Sequence, residues 1–393
     1  MKILYDHQIF TLQKYGGISR YFSELMARFS KDPATDYSLA LRFSFNEHIL
    51  GLPQPDAHWS RRSSVCLHPH VCSLVKTAVQ YEHIRYVLTN ALLYVNQKES
   101  ERLLKKQDFD LFHPTYYDPF FLKYLQKKPY VITVYDMIHE IFPENFPSGD
   151  PISSWKKQVL EHADGIIAIS ESTKADIIHF FHIDPDRIHV IYLGNSFEET
   201  TNTEQFKDLS DHPVPRKPFI LFVGTRSGYK NFDFFIHAVS PVLQKNSELQ
   251  VCCAGGGPFT PRENGILKSL QIPGRVYYVQ PDDLLMKKLY SNARAFIFPS
   301  CYEGFGLPIL EAFSCGCPAL LSNASSLPEI GGDAALYFNP SDPESFTSTL
   351  EHLLMDDTLR MQLTSRGYQR LKQFSWEKTA RATREVYEKL VNC

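Results

Sequence analysis

The sequence predicts an α/β protein built from two doubly wound parallel-sheet domains, and three observations carry that expectation. Its 393 residues exceed the size at which one hydrophobic core stops growing. Short apolar runs alternate with helix-like runs almost throughout, the pattern of parallel sheets covered by helices on both faces. Between two such series lies EETTNTEQFKDLSDHPVPRK, residues 198–217, which is polar throughout and holds two prolines.

In the first series KILYDHQIF reads as a strand, followed by a Gly16-Gly17 turn and the helical pattern ISRYFSELMARF. DLFHPTYY, PYVITVYDMI and GIIAIS read as buried strands. SESTKADIIHFF follows as a helix with Ser170 suited to the cap, and RIHVIYLGN closes this half. The second series runs PFILFVGT, helix NFDFFIHAVSPVLQ, strands LQVCCAGGG and RVYYV, helix DDLLMKKLYSNA, strand AFIFPS, helix PILEAFSCG and strand PALLS. Two helical stretches end the chain, ESFTSTLEHLLMD and WEKTARATREVYEKLV, the latter with Ser375 as its cap. The expected domains are 1–205 and 206–374, with a C-terminal helix, 375–393, that packs back on the first.

Residues 74–95 place Leu74, Ala78, Tyr81, Leu88 and Val95 on one helical face, while Lys76, Glu82 and Arg85 exclude an unassisted membrane span. With Arg61 and Arg62 upstream, the alternatives are a core helix, which is the preferred reading, and a basic amphipathic surface resting on a membrane. Forty-one basic against 44 acidic residues give a net charge of −3, so no global basic field attracts nucleic acid. The N-terminus lacks an apolar leader core, which points to a cytosolic protein, and the eight cysteines are read as reduced thiols. Cys66, His68, His70 and Cys72 alternate in VCLHPHVC, but Pro69 breaks a regular strand and metal ligands usually come from two segments, so a loop is expected there rather than zinc.

Ligands of open parallel sheets bind at the carboxyl ends of strands, and the candidate residues all fall there. Gly16 and Gly17 sit between the first strand and its helix, where backbone can approach a ligand closely, although glycine pairs also serve simple turns. Arg226 and Lys230, in GTRSGYKN, offer two cations in a glycine-containing strand-to-helix loop; anion binding is preferred over a merely solvated face. In EGFGLPILE, Glu303 projects from the loop after AFIFPS, and Glu311 lies about one turn into a helix begun by Pro308. Two carboxylates would also suit a glycosidase, yet nothing fixes the required gap, and the cationic loop favours a substrate with a phosphate leaving group.

The chain resembles the retaining glycosyltransferases of family 4, which have two facing Rossmann-like domains, the GT-B fold. The resemblance rests on the Gly16-Gly17 loop, ADGIIAISESTKADI, DPDRIHVIYLGN, VGTR with Lys230, AGGGP, LYSNARAFIFPSCYEGFGLPILEAFSCGCP and FSWEKTARATREVYEKL. It implies that Glu303 and Glu311 are the two acids of an E-x7-E pattern, the first on the donor sugar and the second on the ribose. Arg226 and Lys230 would hold the diphosphate, the amides of Gly304, Phe305, Gly306 and Leu307 would complete its cradle, and Gly16 and Gly17 would approach from the other domain. Many relatives carry His-Asp where this chain has Tyr135-Asp136; Asp136, His139 and His113 are therefore the candidates for the sugar side. The pairs Asp108–Asp110 and Asp184–Asp186 imitate a metal-binding D-x-D but stand at strand entrances, so catalysis without a metal or cofactor is expected.

The expected function is retaining transfer of a hexose, with mannose first in mind, from a GDP- or UDP-linked donor to a saccharide or lipid-linked acceptor in bacterial surface polysaccharide synthesis. It would occur in the cytoplasm, with peripheral contact at the inner membrane face through the N-terminal domain as an option. A nucleotide-sugar epimerase on the same fold and a non-catalytic sugar-nucleotide-binding subunit are the alternatives.

Overall fold

The computed structural model describes residues 1–50, 52, 82–197 and 217–392. The Cys66–Cys72 cluster, Arg61, Arg62, residues 74–81 and the 205/206 boundary lie outside them.

The N-terminal half contributes β1 (Lys2–Tyr5), β2 (Asp36–Leu39), β3 (Leu111–His113), β4 (Val131–Val134), β5 (Gly165–Ala168) and β6 (Ile188–Val190). All pairings are parallel, in the orders β2-β1-β3 and β4-β5-β6. A single parallel bridge, Phe112 to Tyr130, joins the two groups, with the Phe112 amide donating to the Pro129 carbonyl at 3.1 Å. The C-terminal half contributes β7 (Phe219–Val223), β8 (Gln250–Ala254), β9 (Val276–Val279), β10 (Ala295–Phe298), β11 (Ala319–Ser322) and β12 (Ala335–Phe338), ordered β12-β11-β10-β7-β8-β9. That is a doubly wound arrangement whose strand order reverses between β7 and β10, and the crevice at such a reversal is where ligands bind. In the N-terminal half the reversal falls at β1 and β3.

The central strands β4, β5, β10 and β11 are buried at every position, as their apolar runs require. β2 and β12 escape the sequence reading: DYSL is half polar, and ALYF, although apolar, is too short a run for periodicity to tell a strand from a buried helical turn. Helix Glu82–Lys106 continues eleven residues beyond Val95. Apolar periodicity underestimates it because its inner face turns polar: buried Asn96 accepts from the Arg42 and Phe43 amides, each at 3.0 Å, and donates to Thr11 and Phe43. Among the described residues no helix is long and apolar enough to cross a membrane.

Helix Trp376–Asn392 returns to the N-terminal domain. Its Tyr387 hydroxyl lies 2.6 Å from His113 Nδ1 and 3.2 Å from the Tyr5 hydroxyl, and Arg384 pairs with Asp32 at 2.6 Å. Gly194 lets the chain cross there, since a Cβ on it would fall 2.3 Å from the Trp376 nitrogen.

Candidate functional site

The loops after β7 and β10 flank the strand-order reversal, and they bring Lys230 and Glu303 together. Lys230 ends the turn Gly228–Lys230, and its Nζ lies 2.6 Å from Glu303 Oε1. The loops are tied by the Cys301 amide, which donates to the Tyr229 carbonyl at 2.8 Å. Glu303 is fixed at its backbone: its amide donates to the Ser325 hydroxyl and its carbonyl accepts from Ser326, each at 2.8 Å. A cation and a carboxylate held this way can address an anion and a hydroxyl side by side.

Gly304 carries the chain across the cleft. A Cβ on it would lie 1.7 Å from the Tyr135 carbonyl oxygen, so only glycine permits this approach of the two domains. Its carbonyl accepts from the Ser170 and Thr173 hydroxyls of the opposite domain, at 2.7 and 3.2 Å. Gly306, at φ +105°, turns the chain into helix Leu307–Ser314. Phe305 points into the core beside Phe374, so its side chain takes no part in a ligand cradle, and only the backbone of this stretch remains for one. Leu307 Cδ1 would meet a Cβ on Gly17 at 3.5 Å, ordinary contact; Gly16, at φ 171°, is extended. Gly17 and the start of the Leu307–Ser314 helix are therefore neighbours across the cleft.

Glu311 is set back from that edge. Its Oε2 accepts from the Tyr290 hydroxyl at 3.1 Å; burial pushes its pKa up, against the opposing pull of Arg20 and of that hydrogen bond. Arg20 and Tyr15 also reach Asp283, at 3.4 and 2.8 Å, fastening the Gly16-Gly17 segment to the C-terminal domain.

Two predicted site residues stand elsewhere. Arg226 is 3% exposed: Nε donates to Glu263 at 2.7 Å, and the remaining nitrogens donate to the carbonyls of Gly255, Gly256, Gly257 and Pro258 at 2.8–3.3 Å. Three consecutive glycines at φ +74 to +87° turn those carbonyls toward it. Its guanidinium is taken up by its own domain, which sequence spacing alone does not reveal. His113 lies in the core between Tyr387 and Thr133, at 2.6 and 3.0 Å, and burial drops its pKa to about 3. It does not reach the cleft.

Asp136 follows β4 at the cleft wall. Tyr229 is half-buried beside both Glu303 and Asp136, and the burial and the two charges raise its pKa. His139 stacks on Phe146 with centroids 3.7 Å apart, and burial and Lys156 hold its pKa down against three nearby carboxylates. Beneath them is a pair the sequence reading missed: fully buried Lys156 donates to Glu140 at 2.8 Å and to the Asp136 carbonyl at 3.0 Å. Lys156 and Lys157 are adjacent in an amphipathic helix, and nothing in the sequence says which of them is buried. Tyr302 and Glu329 were also missed. The Tyr302 hydroxyl donates to Asp176 at 2.7 Å and accepts from the Met137 amide at 3.1 Å, and Glu329 accepts the Glu171 and Ser172 amides at 2.7 and 3.1 Å. The D-x-D imitations have local uses: Asp108 and Asp110 bind Lys2, at 2.8 and 2.7 Å, and Asp184 caps a turn.

Residues 71–198 match the family described as Glycosyltransferase Family 4, and residues 204–370 the one described as Glycosyl transferases group 1. The chain is 32% identical over 272 residues to the O-antigen chain mannosyltransferase B of Escherichia coli, covering 66% of this chain and 70% of that one. It is 31% identical over 243 residues to the serotype-specific mannosyltransferase WbdA of Escherichia coli, covering 59% of this chain but 29% of that one. Among solved structures, sucrose-phosphate synthase from Thermosynechococcus elongatus superposes with a TM-score of 0.69 at 17% identity, covering 99% and 98% of the two chains. WaaG, a glycosyltransferase involved in lipopolysaccharide biosynthesis, gives 0.61 at 14% identity over 97% and 98%.

Proposed function

The chain belongs to the family 4 glycosyltransferases of GT-B fold, and from that premise we propose that it moves a hexose from a nucleoside diphosphate sugar to a saccharide or lipid-linked saccharide with retention at the anomeric carbon. Mannose from a GDP-linked donor is the preferred sugar, supported by the two mannosyltransferase relatives, and a surface polysaccharide is the preferred product. The observation that carries the reading is the Lys230–Glu303 pair at the strand-order reversal, facing the Tyr135–Asp136 wall.

In this reaction the diphosphate lies against Lys230 and the N-terminus of helix Leu307–Ser314, where the helix dipole and the ammonium stabilise the charge that builds as the phosphate leaves. Glu303 orients the hexose through its hydroxyls, and Glu311 reaches the ribose. Asp136 faces the sugar from the other domain. Among the described residues no side chain is placed as a covalent nucleophile, so the leaving phosphate takes the acceptor proton on the same face. Lys230 and the helix supply the charge a metal would, and no cofactor is needed.

Glu303→Ala and Lys230→Ala, assayed beside the wild type with GDP-, UDP- and ADP-linked hexoses, test the reading; undiminished turnover in both would sink it. NMR assignment of the product anomer decides retention.

A further inference from the structure

We propose that a cavity of about 550 Å³ on the N-terminal domain binds a hexopyranose unit of the acceptor glycan, outside the unit that carries the reacting hydroxyl. The inference rests on the glycosyltransferase reading above. The cavity lies between the segment that follows β4 and the end of helix Glu171–Phe181, and its lining comes wholly from the N-terminal domain. Its size is that of a small-molecule site.

Position is the first argument. Lys230 and Glu303 belong to the C-terminal domain, so an acceptor has to come from the facing wall. The segment that lines the cavity touches the same loop that carries Lys230: Phe142 stacks on Tyr229 at 6.1 Å and 25°, and a Cβ on Gly228 would lie 3.1 Å from the Asn145 side-chain nitrogen. On the helix, Tyr302 binds Asp176, and Phe180 stands one turn further, about 6 Å along the axis. A glycan with its terminal unit at the cleft passes the cavity with a later unit.

Chemistry is the second. A hexopyranose offers an apolar C–H face and a rim of hydroxyls. Phe180 is 36% exposed, and Phe146 is held rigid under His139, so flat apolar surface is ready for the first. Asp150, with Oδ1 fixed by the Ile152 amide at 2.9 Å, and Ser153 serve the second. Gly149, at φ +83°, is exposed at the rim and puts no side chain over the cavity. An apolar carrier chain would strip water from Asp150 without replacing its hydrogen bonds, so a sugar is favoured over a lipid tail. The wall is preformed, since Lys156 pins both the Asp136 carbonyl and Glu140 behind it.

Saturation-transfer NMR with α-linked mannose and glucose disaccharides at about 10 mM, a concentration suited to weak sugar binding, reads occupancy directly. The wild type should transfer saturation to ring protons. Ser153→Trp, which fills the cavity, should reduce that transfer at least several-fold, and Phe180→Ser should weaken it. The thermal shift given by GDP or UDP should be unchanged in both variants, showing that the fold and the donor side persist. Absence of transfer to every disaccharide in the wild type, or equal transfer in a folded Ser153→Trp protein, would overturn the proposal. Loss of nucleotide binding with sugar binding retained would instead overturn the donor assignment and leave the cavity in place.

Discussion

Lys230 Nζ lies 2.6 Å from Glu303 Oε1, with the two side chains only 16% and 11% exposed. The ammonium and the carboxylate are each other's partner until a ligand enters, and a diphosphate would take the lysine while releasing the glutamate toward sugar hydroxyls. Lys230→Ala should therefore lower kcat by about 10²–10³, the range for losing one group that stabilises developing charge. Glu303→Gln keeps the shape but accepts fewer charge-assisted hydrogen bonds. It should reduce kcat/KM for the intact sugar nucleotide while changing the Kd for the free nucleoside diphosphate little. Steady-state kinetics and titration calorimetry on the two variants separate these effects.

Arg226 and Glu263 are 3% and 7% exposed, and the pair is the hub of the Gly255–Pro258 turn. Burial pushes the Glu263 carboxyl up, but Arg226 and Thr260 more than offset this and hold it below the usual range. Arg226→Met should destabilise the protein by about 3–5 kcal/mol, because it leaves a buried carboxylate and several carbonyls unpaired. Adding Glu263→Gln should recover part of the loss. Denaturant unfolding monitored by circular dichroism measures both. A direct diphosphate role would instead leave stability intact and abolish donor binding.

The order of strands and helices is legible in the sequence because central parallel strands are buried on both faces and read as continuous apolar runs. β2 and β12 are not, since DYSL is half polar and the four apolar residues of ALYF do not decide between strand and helix. Lys230 and Glu303 are legible as well: a loop after a strand at the reversal puts them at the crevice, and the structure joins them. Arg226 occupies the same loop and the same kind of spacing, yet three left-handed glycines elsewhere in the chain turn their carbonyls to it. Which of two cations faces the cleft is a property of the tertiary fold. His113 looks like a strand-end site residue for the same reason, and becomes a core residue because helix Trp376–Asn392 lays Tyr387 over it from 274 positions away.

Two buried histidines make stability fall in acid. Burial lowers the pKa of both His7 and His113 to about 3, from an ordinary value of 6.5. Below 6.5 the unfolded chain takes up a proton that the folded chain refuses, so stability is full above that pH and is lost as pH falls toward 3. Each contributes a slope of at most about 1.4 kcal/mol per pH unit. Asp6 works in the opposite sense: burial raises its pKa to about 6, so its contribution weakens stability as pH rises from about 4 to 6. Unfolding free energies of the wild type and His113→Asn should diverge in slope by close to one proton between about pH 4 and pH 5.5, and the slopes should converge towards pH 7. Parallel curves would mean that His113 titrates normally in the folded protein.

Gly304 sits where the two domains touch, and its missing side chain sets how closely they meet. A Cβ at that position would fall 1.7 Å from the Tyr135 carbonyl oxygen and 3.2 Å from the Asp136 Cα, both backbone atoms that no rotamer change can move. Gly304→Ala can therefore be accommodated only by drawing the C-terminal loop away from the β4 edge. That shift stretches the hydrogen bonds from Ser170 and Thr173 to the Gly304 carbonyl and takes Glu303 away from Asp136. One apolar cluster belongs to the C-terminal domain alone, while the other runs through both domains and includes Tyr302 and Phe305, so the effect should fall on the contact between the domains before it reaches the sheets of either. Turnover should drop by about 10²-fold, the scale for misplacing reacting groups by about 1 Å. The midpoint of thermal unfolding should move by a few degrees at most, as expected for about 1 kcal/mol in a chain of this size. Small-angle scattering should report a larger radius of gyration for the variant. A Gly304→Ala protein with wild-type turnover and dimensions would show that this contact does not hold the domains in their working arrangement.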